Sequence, residues 1–137
     1  MTVGLLYLLD TNILSSLAKD PEGLVGQHLR RVGDGCVCTS LIVAAEIRFG
    51  LAKGVSMALR ERLELMLTAL EILPFEPGVD LHYADIRWRL ENNGTPIGPN
   101  DLLIAAHARS LGLTVVTDNS SEFGRVPGLA VENWLDR

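Results

Sequence analysis

Three short apolar runs limit what this chain can fold into. VGLLYLL (3–9), CVCT (36–39) and LTVVT (113–117) carry no charged residue. The first reads as a buried strand, the second as a short strand and the third as a strand of high β propensity, and a buried strand needs a layer above and a layer below. The intervening segments supply both, because they carry helix signals. TNILSSLAK follows the first run as a short helix. Pro21 can open another through GLVGQHLRRVG, ending at Gly33 or Gly35. Ser40 is placed to cap LIVAAEIRFGLAKG, with Gly54 as its stop. SMALRERLELMLTALEIL is amphipathic, with Leu59, Leu63, Met66, Leu67 and Leu70 on one stripe. EILPFEP ends that helix with room for a short strand before Pro77. VDLHYADIRWRLENNG is a further helix, stopped by Asn92, Asn93 and Gly94. TPIGPNDLLIAAHARSLG is a turn followed by a helix that Gly112 closes. DNSSEFGRVPG is a loop with one helical turn, and LAVENW a last short strand. This alternation predicts an α/β domain, with a central, mostly parallel sheet between helical layers. No linker, repeat or low-complexity run divides the 137 residues, so one domain over 1–137 is expected.

Aromatic residues make up only 5% of the chain, so Leu, Ile, Val and Ala must fill most of the core. The net charge of −5 argues against a protein that coats nucleic acid by charge alone. It leaves room for a nucleic-acid enzyme, because clustered metal-binding carboxylates raise the acidic count. Cys36 and Cys38 stand too close for an unstrained disulfide and at the wrong spacing for a zinc pair. They read as two small buried thiols in a reducing compartment. No basic segment leads into a long apolar run, and no stretch approaches the roughly 18 apolar residues of a membrane span. A cytoplasmic protein that does not enter the membrane is expected.

Three acids interrupt otherwise apolar segments. Asp10 ends the first strand. In an open α/β sheet, ligands bind beyond the carboxyl ends of the strands, and Asp10 lies there, as does the stretch after Thr117. Glu46 breaks LIVAAEI, where a carboxylate is unfavourable unless paired or coordinated. Asp101 precedes LLIAAHA and falls in the first helical turn, where the helix dipole favours its ionised form. Each has an ordinary explanation: Asp10 as a turn or helix cap, Glu46 paired with Arg48 or Arg109, Asp101 as helix-start chemistry. Together they converge on one sheet edge. Crowded carboxylates repel, so one takes up a proton unless a cation compensates. An oxygen-only cluster suits Mg²⁺, with Mn²⁺ as a substitute. A carboxylate-held Mg²⁺ suits phosphodiester hydrolysis.

Other motifs carry less. His107 lies six residues after Asp101, off that helical face, and reads as structural. Arg87-Trp88-Arg89 could bind RNA by charge and stacking, but the expectation is one buried aromatic between two solvated arginines. Serine-hydrolase and nucleotide-loop signatures are absent.

LLDTNILSSL, TSLIVAAEIRFG, GTPIGPNDLLIAAHARSLGLTVVTDNSSEF and VPGLAVENW, in that order, resemble the PIN-domain ribonucleases. Within them the chain is most similar to the VapC toxins of bacterial toxin–antitoxin pairs. The resemblance implies a three-layer α/β/α domain and an Mg²⁺- or Mn²⁺-dependent endoribonuclease that cuts structured RNA, in several relatives tRNA. It makes Asp10, Glu46 and Asp101 the acidic, metal-binding core of the site. It also implies a VapB-type antitoxin partner and a homodimer. One departure concerns the fourth ligand. Where many PIN domains carry an acid two residues after the Thr that ends the fourth strand, this chain has Asn119, with Asp118 before it and Glu122 after it. Asn119 and Glu122 also match a helical capping box. Asn119 is expected at the site in an outer role, with Asp118 and Glu122 as weaker contributors. Two rival readings are a phospho-receiver-like Mg²⁺-binding signalling domain and a PIN-like scaffold that binds RNA without cutting it. The first would need a Lys after a late strand, and no Lys follows Lys53. The second would lack at least one of the three acids.

Overall fold

The computed structural model describes residues 4–135. Its strands are β1 (Tyr7–Leu9), β2 (Val37–Ser40), β3 (Glu71–Leu73), β4 (Thr114–Val116) and β5 (Val131–Glu132). Its helices are α1 (Thr11–Lys19), α2 (Leu24–Val32), α3 (Leu41–Lys53), α4 (Met57–Ala69), α5 (Val79–Asn92), α6 (Pro99–Leu111) and the single turn α7 (Ser120–Phe123). A 3-10 turn at Asp34–Cys36 leads into β2. No helix among the described residues is long and apolar enough to cross a membrane.

The strands form one sheet in the order β3-β2-β1-β4-β5, and each recorded pair is parallel. The connections from β1 to β2 and from β2 to β3 step one way; the connection from β3 to β4 steps back across β1. Right-handed crossovers then put α1, α2 and α4 on one face and α5 and α6 on the other. Accordingly α1 packs on α2 and α4, α5 packs on α6, and α3 touches both groups. The strand order reverses between β1 and β4, and the crevice at that reversal is where an open α/β sheet takes ligands.

The three apolar runs are buried at their centres, but Leu6, just ahead of β1, is 56% exposed. Leu8, Leu9, Cys38, Val115 and Val116 have no exposed surface; each leucine buried this fully contributes about 1.5–3 kcal/mol. Cys38 is unbridged, donates to the Tyr7 carbonyl at 3.4 Å, and its thiol is pushed up to about 12 by burial. Cys36 is only half-buried.

Two expected boundaries shift. The first strand begins at Tyr7 rather than residue 3: Gly4 turns the chain with φ +86°, and Val3 lies outside the described residues. The second helix begins at Leu24, not at Pro21. The Pro21 carbonyl turns inward against Gly26, where a Cβ would stand 2.0 Å away, so only glycine fits there. On α4, Leu63 and Leu67 are buried, while Leu59, Met66 and Leu70 are half-buried. Ser40 caps α3 by accepting from the Ile42 N–H at 3.1 Å. Gly112 closes α6 in the left-handed region, at φ 69°.

Candidate active site

The crevice between the carboxyl ends of β1 and β4 collects the expected acids. Asp10 follows Leu9 directly and is 6% exposed. It is the N-cap residue of α1, and its Oδ1 accepts from the Thr11 N–H at 2.8 Å. Its Oδ2 accepts from the Thr117 hydroxyl at 2.8 Å, which ties the end of β1 to the end of β4. The helix-cap explanation is thus correct as far as it goes, but only one oxygen serves the cap and the other bonds across to the end of β4. Burial is the largest influence on Asp10 and raises its pKa; the Thr117 and Thr11 hydrogen bonds oppose this, and the charges of Glu46 and Asp118 add to it.

Glu46 projects from the second turn of α3. Its Oε1 accepts from the Thr11 hydroxyl at 2.5 Å and its Oε2 from the Asn100 amide at 3.2 Å. The alternative ion pairs do not form: Arg48 pairs with Glu64 at 2.5 Å and Arg109 with Asp85 at 2.8 Å. Asp101 sits in the first turn of α6, half-buried. Its carboxyl is pushed up to about 7. Burial is the first cause, a hydrogen bond shared with Glu122 the second, then the charges of Asp10 and Glu122; the Asn119 amide pulls the other way. Glu122 moves down, chiefly because Asp101 hydrogen-bonds to it. The two carboxyls are thus pushed apart, Asp101 up and Glu122 down.

Asn119 reaches the site by its side chain. Its Nδ2 donates to Asp101 Oδ2 at 3.2 Å and also to Glu122 Oε2. The capping box does not form, because the Asn119 side chain makes no bond to the backbone of α7. The two carboxylates draw it away, and its own N–H is held by the Thr117 hydroxyl at 3.0 Å. Asp118 is exposed and accepts from the Asn12 amide at 3.2 Å, on the Asp10 side of the crevice. Asp10, Glu46, Asp101, Asn119 and Glu122 therefore share one neighbourhood, with Asp118 at its rim.

Sequence reasoning missed the neutral donors: Thr11, Thr117, Asn100 and Asn12. A signal was present, since each lies within two residues of one of these acids, in LLDTN, VVTD and GPND.

Among the described residues, none of Asp10, Glu46, Asp101, Asp118 and Glu122 lies in an ion pair. Arg125 is near enough to lower Glu122 by its charge and no nearer. An all-oxygen set in which burial first, and the charges of neighbouring acids after it, raise Asp10 and Asp101 fits a hard divalent cation. No three Asp, Glu, His or Cys side chains among the described residues close into a ready-made cage.

The chain is similar to known proteins over most of its length. The PIN domain profile matches residues 7–129. The chain is 36% identical over 132 residues to "Ribonuclease VapC2" of Rickettsia felis, covering 95% of this chain and 98% of that protein. It is 36% identical over 135 residues to "tRNA(fMet)-specific endonuclease VapC" of Salmonella typhimurium, covering 93% and 97%. The crystal structure of VapBC2 from Rickettsia felis, bound to a DNA fragment from their promoter, contains a chain that superposes with a TM-score of 0.87. That chain is 35% identical, with 95% and 99% coverage. The chain belongs to the PIN-domain family, and its α/β/α architecture is that of its VapC relatives.

Proposed function

We propose that this protein is a divalent-metal-dependent endoribonuclease acting as the toxin of a type II toxin–antitoxin pair. The observation that carries the reading is the crowding of Asp10, Glu46, Asp101 and Glu122 at the β1–β4 crevice without an ion-pairing cation among the described residues. Asp10, Glu46 and Asp101 would hold Mg²⁺, with Mn²⁺ as a working substitute. Bound there, the ion supplies charge for the phosphoryl oxygens and a more acidic water. The remaining chemistry belongs to the chain. Thr117 and the Thr11 N–H fix the Asp10 carboxylate in one orientation. The Thr11 hydroxyl and Asn100 do the same for Glu46. Asn119 holds Asp101 beside Glu122 and adds no charge.

The substrate is structured RNA, and tRNA is the first to try, because the Salmonella typhimurium relative is named for tRNA(fMet). The partner is a VapB-type antitoxin, in keeping with the VapBC complex to which this chain is similar. A cavity of about 430 Å³, lined by Leu17, Leu29, Met66 and Leu70 near the start of β2, would receive an apolar helical segment of such a partner. A homodimer accompanies this reading.

The test is incubation of purified protein with a tRNA pool and Mg²⁺, followed by sequencing of the RNA ends. Defined new ends should appear with Mg²⁺ or Mn²⁺ and disappear with Asp10→Asn or Asp101→Asn. Full cleavage in excess EDTA would refute the reading. In cells, expression of the wild-type chain alone should arrest growth and the Asp101→Asn form should not.

A further inference from the structure

The expectation for Arg87-Trp88-Arg89 fails in the structure. Trp88 is 67% exposed, whereas Trp134 is buried at 1%. The flanking guanidiniums are already committed, Arg87 to Glu91 at 2.8 Å and Arg89 to Asp85 at 3.0 Å. Trp88 lines a pocket of about 370 Å³ with Asp85, Arg89, Asn92, Asn93 and Pro127. Two amides, an ion pair, a proline and one indole do not make a slot for an apolar helix; the aliphatic groove lies elsewhere, against α1 and α4. They suit a flat heteroaromatic ring, with its face on the indole and its polar edge on the amides.

The pocket connects to the carboxylate edge. α5 ends at Asn92, and the chain continues to Pro96, whose carbonyl accepts from Arg125 Nη1 at 3.0 Å. Arg125 stands three residues after Glu122 and lowers its pKa by charge. Pro127, two residues further, is a wall of the Trp88 pocket. The 122–127 segment thus gives a path from Glu122, beside Asp101, past Arg125 to the Trp88 pocket at Pro127. Arg125 is exposed, and among the described residues it has no carboxylate within ion-pair distance.

Resting on the nuclease reading above, we propose that this path carries the RNA strand: Arg125 takes a backbone phosphate beside the carboxylates, and Trp88 stacks on an unpaired base in the pocket. Every base has a π-face, so stacking tolerates sequence and would select unpaired over paired RNA.

The experiment uses the full chain carrying Asp101→Asn, so that binding is read without cleavage. The probe is a labelled single-stranded oligoribonucleotide of mixed sequence, titrated over a range of salt. Trp88→Ala should weaken binding about tenfold, within the range known for base–aromatic stacking, and leave the slope of log affinity against log salt unchanged. Trp88→Phe should restore most of the loss. Arg125→Ala should flatten that slope by about 0.7, the share of one phosphate contact on a single strand. In the cleaving protein, Trp88→Ala should raise KM with kcat nearly unchanged. If wild-type protein cleaves RNA with Mg²⁺ but Trp88→Ala binds the probe normally, the pocket assignment falls and the nuclease reading stands. If Trp88→Ala instead changes the protein's mass in solution and leaves RNA binding intact, the indole serves a protein contact and the proposal is overturned. If the protein neither binds nor cleaves RNA, both readings fall.

Discussion

Asp85 and Asp101 lie on the paired helices α5 and α6, and the fold treats them in opposite ways. Asp85 accepts from Arg89 at 3.0 Å and from Arg109 at 2.8 Å, and those contacts hold its carboxyl below the usual range. Arg109 also donates to His82 Nδ1 and to the Pro127 carbonyl, each at 2.9 Å, so the corner is satisfied by charge and geometry. Asp101 has neutral Asn119 and a second acid for neighbours, and its pKa rises to about 7. The first arrangement joins α5, α6 and the 125–128 loop. The second leaves a charge requirement that the chain itself does not meet. A carboxylate with its cation built in is architecture, and one without it is a place for something to bind.

The widest separation between the two corners should appear on neutralising the acids. Asp10→Asn or Asp101→Asn should lower RNA cleavage by several orders of magnitude, because an amide keeps the shape and removes the charge. The melting temperature of the metal-free protein should stay level or rise, since burial and repulsion both disfavour the ionised carboxylate. A variant that loses activity and also several degrees of stability would mark these acids as structural, like Asp85.

The converse substitution is Arg109→Met. It removes three hydrogen bonds from a side chain only 14% exposed and leaves Asp85 unpaired on that side. A destabilisation of about 2 kcal/mol is expected, with kcat of the folded protein retained. Denaturant unfolding and single-turnover cleavage on the same preparation separate the two effects.

The contrast between corners also explains what could be read in the sequence. Asp10, Glu46 and Asp101 were legible because acids inside apolar runs are conspicuous without coordinates. The centre of the sheet was legible because β1, β2 and β4 are short uncharged runs, whereas the outer strands β3 and β5 each carry an exposed Glu. The partners of those acids were not, since Thr11 serves Glu46 on another element and Thr117 serves Asp10 across the sheet. Such pairings exist only once β1, β4 and α3 are assembled. Trp88 was misread although its position was legible. Val79, Ile86 and Leu90 are the buried positions of α5, and Trp88, two residues from each of the last two, falls on the opposite face. The misreading came from weighting residue type over register. Asn119 was placed at the site by its spacing from Thr117, but its bridging of two carboxylates was not visible in a segment that also fitted a capping box.

Asn119 sharpens the comparison because it occupies, with a neutral amide, the place that Arg109 fills beside Asp85. Asn119→Ala should lower cleavage about tenfold, the effect of losing one orienting hydrogen bond of about 1.4 kcal/mol. That is a smaller loss than for Asp10→Ala. Asn119→Asp adds a carboxylate, so the metal-free protein should melt lower and Mn²⁺ should bind as tightly or more so, read by calorimetric titration. If Asn119→Asp leaves Mn²⁺ affinity unchanged while Asp118→Ala abolishes it, the fourth position belongs to Asp118.

The smallest expected effect comes from His107, which is buried on the same helix as Asp101 but titrates with the opposite sign. Its Nδ1 lies 2.8 Å from the Ser40 hydroxyl, its ring and that of Phe75 meet edge to face with centroids 4.9 Å apart, and it is 1% exposed. Burial lowers its pKa, against weaker opposing influences from the Pro74 carbonyl and the Glu76 charge. Below its ordinary value of 6.5 the unfolded chain takes up a proton that the folded chain refuses. Stability therefore falls on acidification, by at most about 1.4 kcal/mol per pH unit for one proton. Asp10 and Asp101 work the other way: their raised pKa values mean that the metal-free fold loses stability as pH rises from the ordinary carboxylate value towards 7. The two contributions overlap in the wild type, so a flat profile there would decide nothing. The difference between wild type and His107→Asn separates them. From pH 7 to pH 5 the wild type should lose stability relative to the variant, whatever each does alone. A difference that stays constant across that range would mean that the fold accepts a charged His107.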